Sequence, residues 1–339
     1  MQRHAATILI LGGLILALVL VAELLGLRLF DRITTNLCIS LVLVLGLQVF
    51  MGNSGILSFA HIGFMGIGAY ASAVLTIPAQ MKGMALPDLY PFLENVQLSP
   101  YLAIPIGGLV AAAVASIVAY PLMRLSDAAA VITSFALLVV LHTIITHWSA
   151  VTNGPRTLFG LPEATTLPLA AGAAIAALIT ALAFKESRTG MLLRASRDDE
   201  IAAAALGIHI PKLRWQAYIL SALLAGIGGA LWGHFITSFS PKAFYLKETF
   251  VILAMLVIGG PNTVTGAVIG AFIVTAAFEG LRALEGAINR AGFSNDPIVG
   301  MTELVLAVAM ILILILRSGG LFPTREIGFF VTSGKRNGK

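Results

Sequence analysis

Polar residues interrupt one of the long uncharged stretches of the sequence. The run Ile33–Met81 has 49 residues without Asp, Glu, Lys or Arg, and the tetrapeptide at 52–55 lies within it. Irregular backbone at membrane depth is stable only where protein buries it or where it lines a water-filled cavity. Asn53 or Ser54 can cap the helix that follows, whose free N–H groups favour a carboxylate. We therefore predict that this break lines a solute path, and a simple turn between two helices is the alternative. The residues of the predicted path are Asn53, Ser54, Gly55, Ser58 and His61.

Residues 187–214 show the pattern of a short helix between two apolar stretches. Ser196 stands three residues before Asp199, a spacing typical of a helix N-terminus, where side-chain oxygens accept hydrogen bonds from free N–H groups. Acidic side chains at 198–200 also stabilise the positive end of the helix dipole. Gly207 can end the helix in a left-handed conformation, and Pro211 prevents its continuation. The pattern predicts a capped helix over residues 196–208.

The apolar face of this predicted helix is made mostly of alanine. Its residues recur at the i, i+3, i+4 and i+7 spacing and are Ile201, Ala204, Ala205 and Ile208. A helix that rests on a membrane surface would instead use Trp, Phe or Leu. A shallow alanine face suits a groove on another protein, so docking is the prediction and the membrane surface is the alternative.

Motifs for catalysis or for ATP binding are absent from the sequence. It contains no Gly-x-x-x-x-Gly-Lys-Ser/Thr run, so any ATPase that drives this chain must be another subunit. Its single cysteine, Cys38, excludes an internal disulfide and a multi-thiolate metal site. His142 and His147 are five residues apart and do not share a helical face well, so we interpret them as ordinary residues at the end of a helix. The sequence therefore predicts no enzyme, no metal site and no cofactor bound by this chain.

Composition places these segments in a membrane protein. Of the 339 residues, 58% are apolar and only 11% are charged. A spanning helix takes roughly 20 mainly apolar residues, so the predicted fold class is an all-α, polytopic bundle of about ten spans. The predicted spans are residues 8–30, 33–50, 62–78, 101–123, 128–148, 167–184, 215–236, 247–258, 265–283 and 298–317. We treat residues 1–339 as a single transmembrane domain with a hydrophilic loop at 185–214 and a tail at 318–339.

Basic residues predict which way the bundle faces. The hydrophilic loop and the segment after Leu316 contain many of them: Lys185, Arg188, Arg194, Arg197, Lys212, Arg214, Arg317, Arg325, Lys335, Arg336 and Lys339. Residues 79–100 have only Lys82 against Asp88 and Glu94. Because Lys and Arg collect on the cytoplasmic side, both termini and residues 185–214 are predicted to be cytoplasmic, and 79–100 outside. Orientation therefore accounts for the formal charge of +5, and no nucleic-acid partner is expected.

Small residues at four-residue spacing predict close helix packing. Ser221, Ala225, Gly229 and Gly233 form one row, and Gly266 with Gly270 forms another. Small faces let helix backbones approach closely where lipid supplies no hydrophobic drive for association. We expect these rows to pack within the chain, and packing against a partner chain is the alternative.

Two runs resemble one family of transport proteins. Residues 194–208 read RASRDDEIAAAALGI and resemble the Glu-Ala-Ala loop of ABC importer permeases, in detail that of the branched-chain amino acid permease family. Residues 52–70 read GNSGILSFAHIGFMGIGAY and are similar to that family's early Gly-x-x-Ser-x-Gly-His segment and the small-residue helix after it. Residues 217–233, 259–271 and 316–322 match as well, so the resemblance covers about residues 30–322.

The resemblance implies a function, partners and a location. It implies the integral membrane permease subunit of an ABC importer that moves branched-chain amino acids inward by ATP-driven alternating access, in a bacterial inner membrane. The implied partners are a second, related permease subunit, two ATP-binding cassette subunits that hold ATP and Mg, and an extracytoplasmic substrate-binding protein. The residues implied in ATPase coupling are Arg197, Asp199, Glu200, Ile201, Ala202, Ala203 and Gly207.

Two other functions stay open at this point. The same architecture could import urea, short amides or another small polar solute, because pocket residues from separate spans do not identify the solute. An ion-coupled secondary transporter would favour paired buried carboxylates and inverted repeats, and neither is clear in the sequence.

Overall fold

The computed structural model describes residues 2–125, 127–291, 300–316, 319–322 and 326–329. Within these ranges the regular elements are helices, and β pairing is limited to an isolated bridge between Leu158 and Phe239. The all-α class is thus confirmed. The helices are α1 (Gln2–Leu25), α2 (Arg28–Ser54), α3 (His61–Thr76), α4 (Ala79–Ala85), α5 (Pro91–Glu94), α6 (Pro100–Leu122), α7 (Asp127–His147), α8 (Ser149–Thr152), α9 (Leu167–Glu186), α10 (Arg188–Asp198), α11 (Glu200–Ala205), α12 (Ile210–Ile236), α13 (Leu246–Gly259), α14 (Val264–Ala291) and α15 (Met301–Leu316), with a 3₁₀ turn at Pro241–Phe244.

A helix occupies each of the ten segments that the sequence marks as apolar. Among the described residues, seven helices are long and apolar enough to cross a membrane: α1, α2, α6, α7, α9, α12 and α14. Helices α3, α13 and α15 have 16, 14 and 16 residues, shorter than the roughly 20 that a full crossing takes. The number of spans stays a prediction.

Helix α12 lies at the centre of the bundle and packs against α2, α3 and α6. Glycine allows this approach, because a Cβ on Gly229 would lie 1.9 Å from the Met65 carbonyl oxygen of α3. A Cβ on Gly68 of α3 would lie 2.1 Å from the Gly226 oxygen of α12. Ser221 of α12 donates to the Gly46 carbonyl of α2 at 2.5 Å. The predicted row on α12 therefore packs within the chain.

One end of the bundle gathers the basic loop, the start of the chain and part of its tail. His4 Nε2 lies 3.5 Å from a carboxylate oxygen of Glu186, at the end of α9. Lys185 pairs with Glu326 of the tail. Residues 185–214 begin at this point, and we call this end the basic end. The segment 79–100 follows α3 at the opposite end, where Tyr90 OH lies 3.4 Å from Trp148 Nε1.

Glu326, in the tail, caps the N-terminus of α14. The N–H groups of Val264 and Thr265 each donate to its carboxylate at 2.9 Å, and the Thr265 hydroxyl donates at 2.5 Å. Lys185 of α9 pairs with the same carboxylate and also donates to the Asn262 carbonyl at 2.9 Å. Burial alone raises the pKa of the Glu326 carboxyl, but the Lys185 charge and the hydrogen bonds from Lys185 and Thr265 outweigh it and hold that pKa below the usual 4.5. The tail, α9 and α14 are therefore joined by one buried ion pair.

Because α3 and α12 touch at glycine, adding one methyl group at this contact should destabilise the fold. Gly229→Ala should lower the free energy of unfolding by about 1–3 kcal/mol, because the added Cβ meets rigid backbone and the helices must separate. Gly172→Ala on α9 is the matched control, since its Cβ would have nothing within 4 Å. Thermal unfolding in detergent measures both. Equal melting midpoints for the two variants would contradict the close contact.

The Glu326 ion pair predicts a stability difference that depends on pH. Glu326→Gln should cost about 3–5 kcal/mol at neutral pH, because Lys185, with 8% of its side chain exposed, loses its buried countercharge. The folded-state pKa is lower than the unfolded value, so the carboxylate stabilises the fold above pH 4.5 and this contribution is lost as pH falls through the folded-state pKa. Melting midpoints of wild type and variant should converge in that acidic window.

The control for the pH experiment is Glu163→Gln, which changes an exposed carboxylate. It should leave the melting midpoint close to that of wild type at every pH. A difference between wild type and Glu326→Gln that stays constant down to pH 3 would contradict the role assigned to the carboxylate.

Candidate functional site

The predicted path, residues 53–61, and the predicted coupling segment, residues 196–208, meet at the basic end of the bundle. The end of α2, the corner between α10 and α11, and the turn between α13 and α14 contact one another there. Gln48 of α2, for example, directs its amide nitrogen at the Pro261 carbonyl of that turn, 3.5 Å away. The site is therefore built from segments that are distant in sequence.

Helix α2 continues through residues that the sequence assigned to a break. Asn53 Nδ2 donates to the Val49 carbonyl at 2.9 Å, and Ser54 Oγ donates to the Phe50 carbonyl at 2.7 Å. These bonds to the preceding turn hold both residues in the helix. The prediction that Asn53 or Ser54 caps the next helix is wrong, because α3 follows Ala60 without a side-chain cap.

The irregular backbone is shorter than predicted and covers residues 55–60. Gly55 ends α2 with φ of 74°, a left-handed conformation, and its N–H donates to the Met51 carbonyl. Further along, the Phe59 N–H donates to Ser134 Oγ of α7 at 3.2 Å. The segment is thus held on both sides by defined hydrogen bonds.

Arg197 fastens the coupling segment to two parts of the bundle. Its Nη1 donates to the Gly52 carbonyl of α2 and to Asn262 Oδ1 of the α13–α14 turn, each at 2.8 Å. Its stem lies on Gly55, where an added Cβ would be 2.6 Å from Arg197 Cγ. Within this chain Arg197 therefore positions the segment from its inner side.

The coupling segment consists of two helices and not of one helix over 196–208. Helix α10 ends at Asp198, and Asp199 has the extended conformation of an N-cap. Its carboxylate accepts from the Ala202 N–H at 2.9 Å. The prediction that Ser196 is the cap is wrong, because Ser196 is buried in α10 and donates to the Leu193 carbonyl at 2.8 Å. A carboxylate at the start of α11 also meets the positive end of the helix dipole.

Gly207 ends α11 as the sequence predicts. It has φ of 79°, in the left-handed region. The Ile208 N–H donates to the Ala203 carbonyl and the Gly207 N–H to the Ala204 carbonyl, the pair of bonds that defines a Schellman motif. This closure fixes the angle at which the chain leaves α11 for α12.

The apolar face of α11 is uncovered. Ile201 is 85% exposed and Leu206 is 81% exposed, and Ala202, Ala204 and Ala205 between them are exposed too. Ile208 of the predicted face is half-buried. Ala203 alone in α11 is buried, against the rest of the bundle. The chain therefore presents a small apolar surface at its basic end, which we call the α11 face: Ile201, Ala202, Ala204, Ala205 and Leu206.

The sequence did not predict a structural role for Arg214, at the start of α12, and it entered the sequence analysis only as one of the basic residues. Its guanidinium bonds Glu200 at 2.9 Å, and only 5% of its side chain is exposed. It also donates to the Leu125 carbonyl at 3.2 Å. The pair ties the first residue of α11 to the central helix, and no local spacing signals a contact across 14 residues with an intervening turn.

An open cleft of about 860 Å³ lies between the α10–α11 corner and the end of α2. Ser54 and Gly55 of the predicted path line it, together with Ile56 and Leu57. Arg197, Asp199, Glu200 and Ile201 form the other wall. The structure therefore brings part of the predicted path beside the coupling residues.

The rest of the predicted path is closed. Ser58 lines a cavity of about 10 Å³ with Phe50 and Tyr218, room for about one water molecule. The Phe50 and Tyr218 rings meet edge to face with centroids 4.9 Å apart, and the His61 ring lies 5.1 Å from Tyr218. Asn53 is fully buried. Sequence reasoning missed Phe50 and Tyr218, because an aromatic residue in an apolar helix gives no sign of what it faces.

We call Phe50, Asn53, Ser58, His61 and Tyr218 the closed layer. Some of its polar atoms have no hydrogen-bond partner. They are Asn53 Oδ1 and both ring nitrogens of His61. Buried polar atoms without partners are costly, so the layer is suited to interact with water or a polar solute when it opens. Within the described ranges no group of three His, Cys, Asp or Glu side chains could hold a metal ion.

Comparison with known proteins places the chain in a family. The family model described as branched-chain amino acid transport system, permease component, matches residues 29–316. The high-affinity branched-chain amino acid transport system permease protein LivM of Salmonella typhimurium is 24% identical over 91% of this chain and 73% of its own length. The nucleoside ABC transporter permease protein NupC of Lactococcus lactis is 27% identical over 64% of this chain and 70% of its own length.

A further relative is similar over a shorter stretch. The probable branched-chain amino acid transport permease protein LivH of Methanocaldococcus jannaschii is 34% identical over 26% of this chain and 28% of its own length. No solved structure matches the chain. The family model nevertheless covers most of the sequence, including α2, the closed layer and the coupling segment. The chain belongs to the permease-component family of branched-chain amino acid transport systems.

Proposed function

We propose that the chain is the permease subunit of an ABC importer that carries branched-chain amino acids into the cell by ATP-driven alternating access. The α11 face carries this proposal. An apolar surface on a transport protein, held rigidly at the end where basic loops collect, suits a groove on a partner that pushes on it. The chain has no P-loop of its own, so ATP and Mg would bind to that partner.

The contacts around α11 supply a route for movement. Glu200 joins α11 to Arg214 of α12, and Arg197 joins α10 to α2 and to the α13–α14 turn. A push on the α11 face would therefore reach the helices that carry Tyr218 and Phe50. Separation of these two rings would open the closed layer toward the cleft. ATP can shift this equilibrium only by the difference in its binding free energy between the two states.

The proposed assembly gives this chain four kinds of partner. They are a second, related permease subunit, two ATP-binding cassette subunits, an extracytoplasmic substrate-binding protein and the membrane. Similarity to proteins named LivM and LivH supports a pair of related permeases. The relative named as a nucleoside permease supports a second candidate, in which the same architecture carries another small polar solute.

We place the chain in a bacterial inner membrane with both termini and residues 185–214 in the cytoplasm. Support comes from the charge of the loops and from the contacts His4–Glu186 and Lys185–Glu326, which put the start of the chain, the loop and the tail at one end.

Accessibility to a membrane-impermeant thiol reagent tests this orientation. In a Cys38→Ala background, Phe92→Cys should react from outside intact cells, and Leu206→Cys should react only after the membrane is opened. Both positions are well exposed, at 72% and 81%, so burial does not limit the reaction. Reaction of both cysteines in intact cells would contradict the orientation.

The α11 face should be required for coupling and not for folding. Ile201→Glu should weaken binding of the ATPase subunits about tenfold, because a charge replaces an exposed apolar contact at the centre of the proposed interface. Uptake of leucine by the reconstituted importer and substrate-stimulated ATP hydrolysis should both fall, while the permease still inserts and melts normally.

The matched control for this experiment is Met84→Glu. Met84 is 68% exposed, at the opposite end of the bundle, and the change is chemically similar. It should leave ATPase binding unchanged. Normal coupling in Ile201→Glu would mean that α11 does not dock the ATPase, and an importer that takes up no branched-chain amino acid would refute the proposed substrate.

A further inference from the structure

A second cavity lies away from the closed layer, between α2, α13 and α14. Its volume is about 140 Å³. Engineered apolar cavities of about 150 Å³ bind benzene, and drug-sized ligands use roughly 300–1,000 Å³. The space is therefore large enough for a small solute.

The cavity lies in the half of the bundle opposite the basic end. Ser40 lines it and lies 14 residues before the end of α2 at Ser54, about 21 Å along the helix. Glu248 lines it 11 residues before the end of α13, and Thr275 lines it 11 residues after the start of α14, each about 17 Å from the basic end. In the proposed orientation this is the half that a solute delivered from outside would reach first.

Charges of both signs line the cavity. Glu248 and Glu279 supply two carboxylates, and Lys247 and Arg282 supply two cations. Glu248 and Glu279 are half-buried, whereas Lys247 and Arg282 are exposed. A half-buried carboxylate on a helix of a membrane protein marks a candidate site for a polar solute. Because the formal charges sum to zero, the site matches a neutral solute with separated charges better than it matches an anion or a cation.

The same cavity has an apolar wall. Val251, Met255 and Phe278 line it beside the charged groups, and Met255 is 4% exposed. A solute that fits must therefore have a charged part and an aliphatic part within a few ångströms of each other. Urea and short amides carry no full charge.

Thr275 is an independent sign that the cavity suits a polar ligand. It is only 7% exposed, it lines the cavity, and its hydroxyl oxygen has no hydrogen-bond partner. A threonine hydroxyl in a helix commonly bonds a carbonyl of the preceding turn, and this one does not. An unsatisfied buried hydroxyl in a polar cavity is accounted for when a solute supplies the partner.

We propose that this cavity binds the zwitterion of an aliphatic α-amino acid. Glu248 and Glu279 face the ammonium group, Arg282 and Lys247 face the carboxylate, and Val251, Met255 and Phe278 hold the branched side chain. Thr275 donates or accepts one hydrogen bond with the polar end. The proposal rests on the proposed function and adds the solute site, placed before the closed layer on the inward route.

Binding of radiolabelled leucine to the purified permease–ATPase complex, without the binding protein, tests the site directly. Arg282→Gln should weaken binding about tenfold or more, because it removes a charge-assisted contact. Arg290→Gln is the matched control, since Arg290 is exposed two turns further along α14 and lies outside the cavity lining. Thr275→Val keeps the shape of the side chain and should weaken binding about three- to tenfold with the complex fully assembled.

Two leucine analogues separate a binding role from a structural one. 3-Methylbutylamine lacks the carboxylate, and 4-methylpentanoate lacks the ammonium group; each should compete at least tenfold more weakly than leucine in wild type. Arg282→Gln should lose the discrimination against 3-methylbutylamine only, and Glu279→Gln the discrimination against 4-methylpentanoate only. A variant that is merely unstable would not change one of these two ratios and leave the other unchanged.

Uptake by the whole importer is measured in parallel. Leucine uptake together with unchanged leucine binding in Arg282→Gln and Thr275→Val would overturn the site and leave the proposed function standing. Leucine uptake without measurable leucine binding to the wild-type complex would also overturn the site. Absence of branched-chain amino acid uptake would overturn the proposed function itself.

Discussion

Close approach of helix backbones through glycine is the constraint on which the rest of the structure depends. Lipid chains are as apolar as leucine, so helices in a membrane gain little from burying apolar faces and must associate by packing. Helix α12 solves this with Gly229, which puts its backbone directly against α3, and with Gly226, which puts it directly against α6. The position of α12 then sets where Arg214 and Tyr218 lie. The Arg214–Glu200 ion pair, which holds the coupling segment, and the closed layer around Tyr218 are both consequences of that packing.

The coupling segment is short, and its rigidity comes from contacts with the bundle. A six-residue helix is too short to be stable alone, because nucleation costs more than so few hydrogen bonds return. Asp199 caps its start, Gly207 closes its end, and Arg197 and Glu200 fasten it on two sides. A helix held in this way can transmit force without bending. The same contacts leave its apolar face outward, which a freely folding peptide would bury.

Sequence predicted the features that depend on local pattern. Apolar stretches located ten helices, the row on α12 marked a packed face, and Gly207 marked a left-handed end. Features that depend on distant partners were missed. Nothing near Arg214 points to Glu200, and nothing near Asn53 shows that its side chain would extend α2 instead of capping α3. Cap assignment failed at Ser196 for a related reason: two acceptors stood three residues apart, and the fold of α10 decided between them.

The carboxylate of Glu326 ties the architecture to the order in which the chain is made. It supplies acceptors for N–H groups at the start of α14 that stand 61 and 62 residues earlier in the sequence. At roughly 5–20 residues per second, a ribosome takes about 3–12 s to cover that distance. During this interval the first turn of α14 must rely on water or on the insertion machinery for its hydrogen bonds. The hydrogen bonds that lock the basic end therefore form only after the segment with Glu326 has left the ribosome.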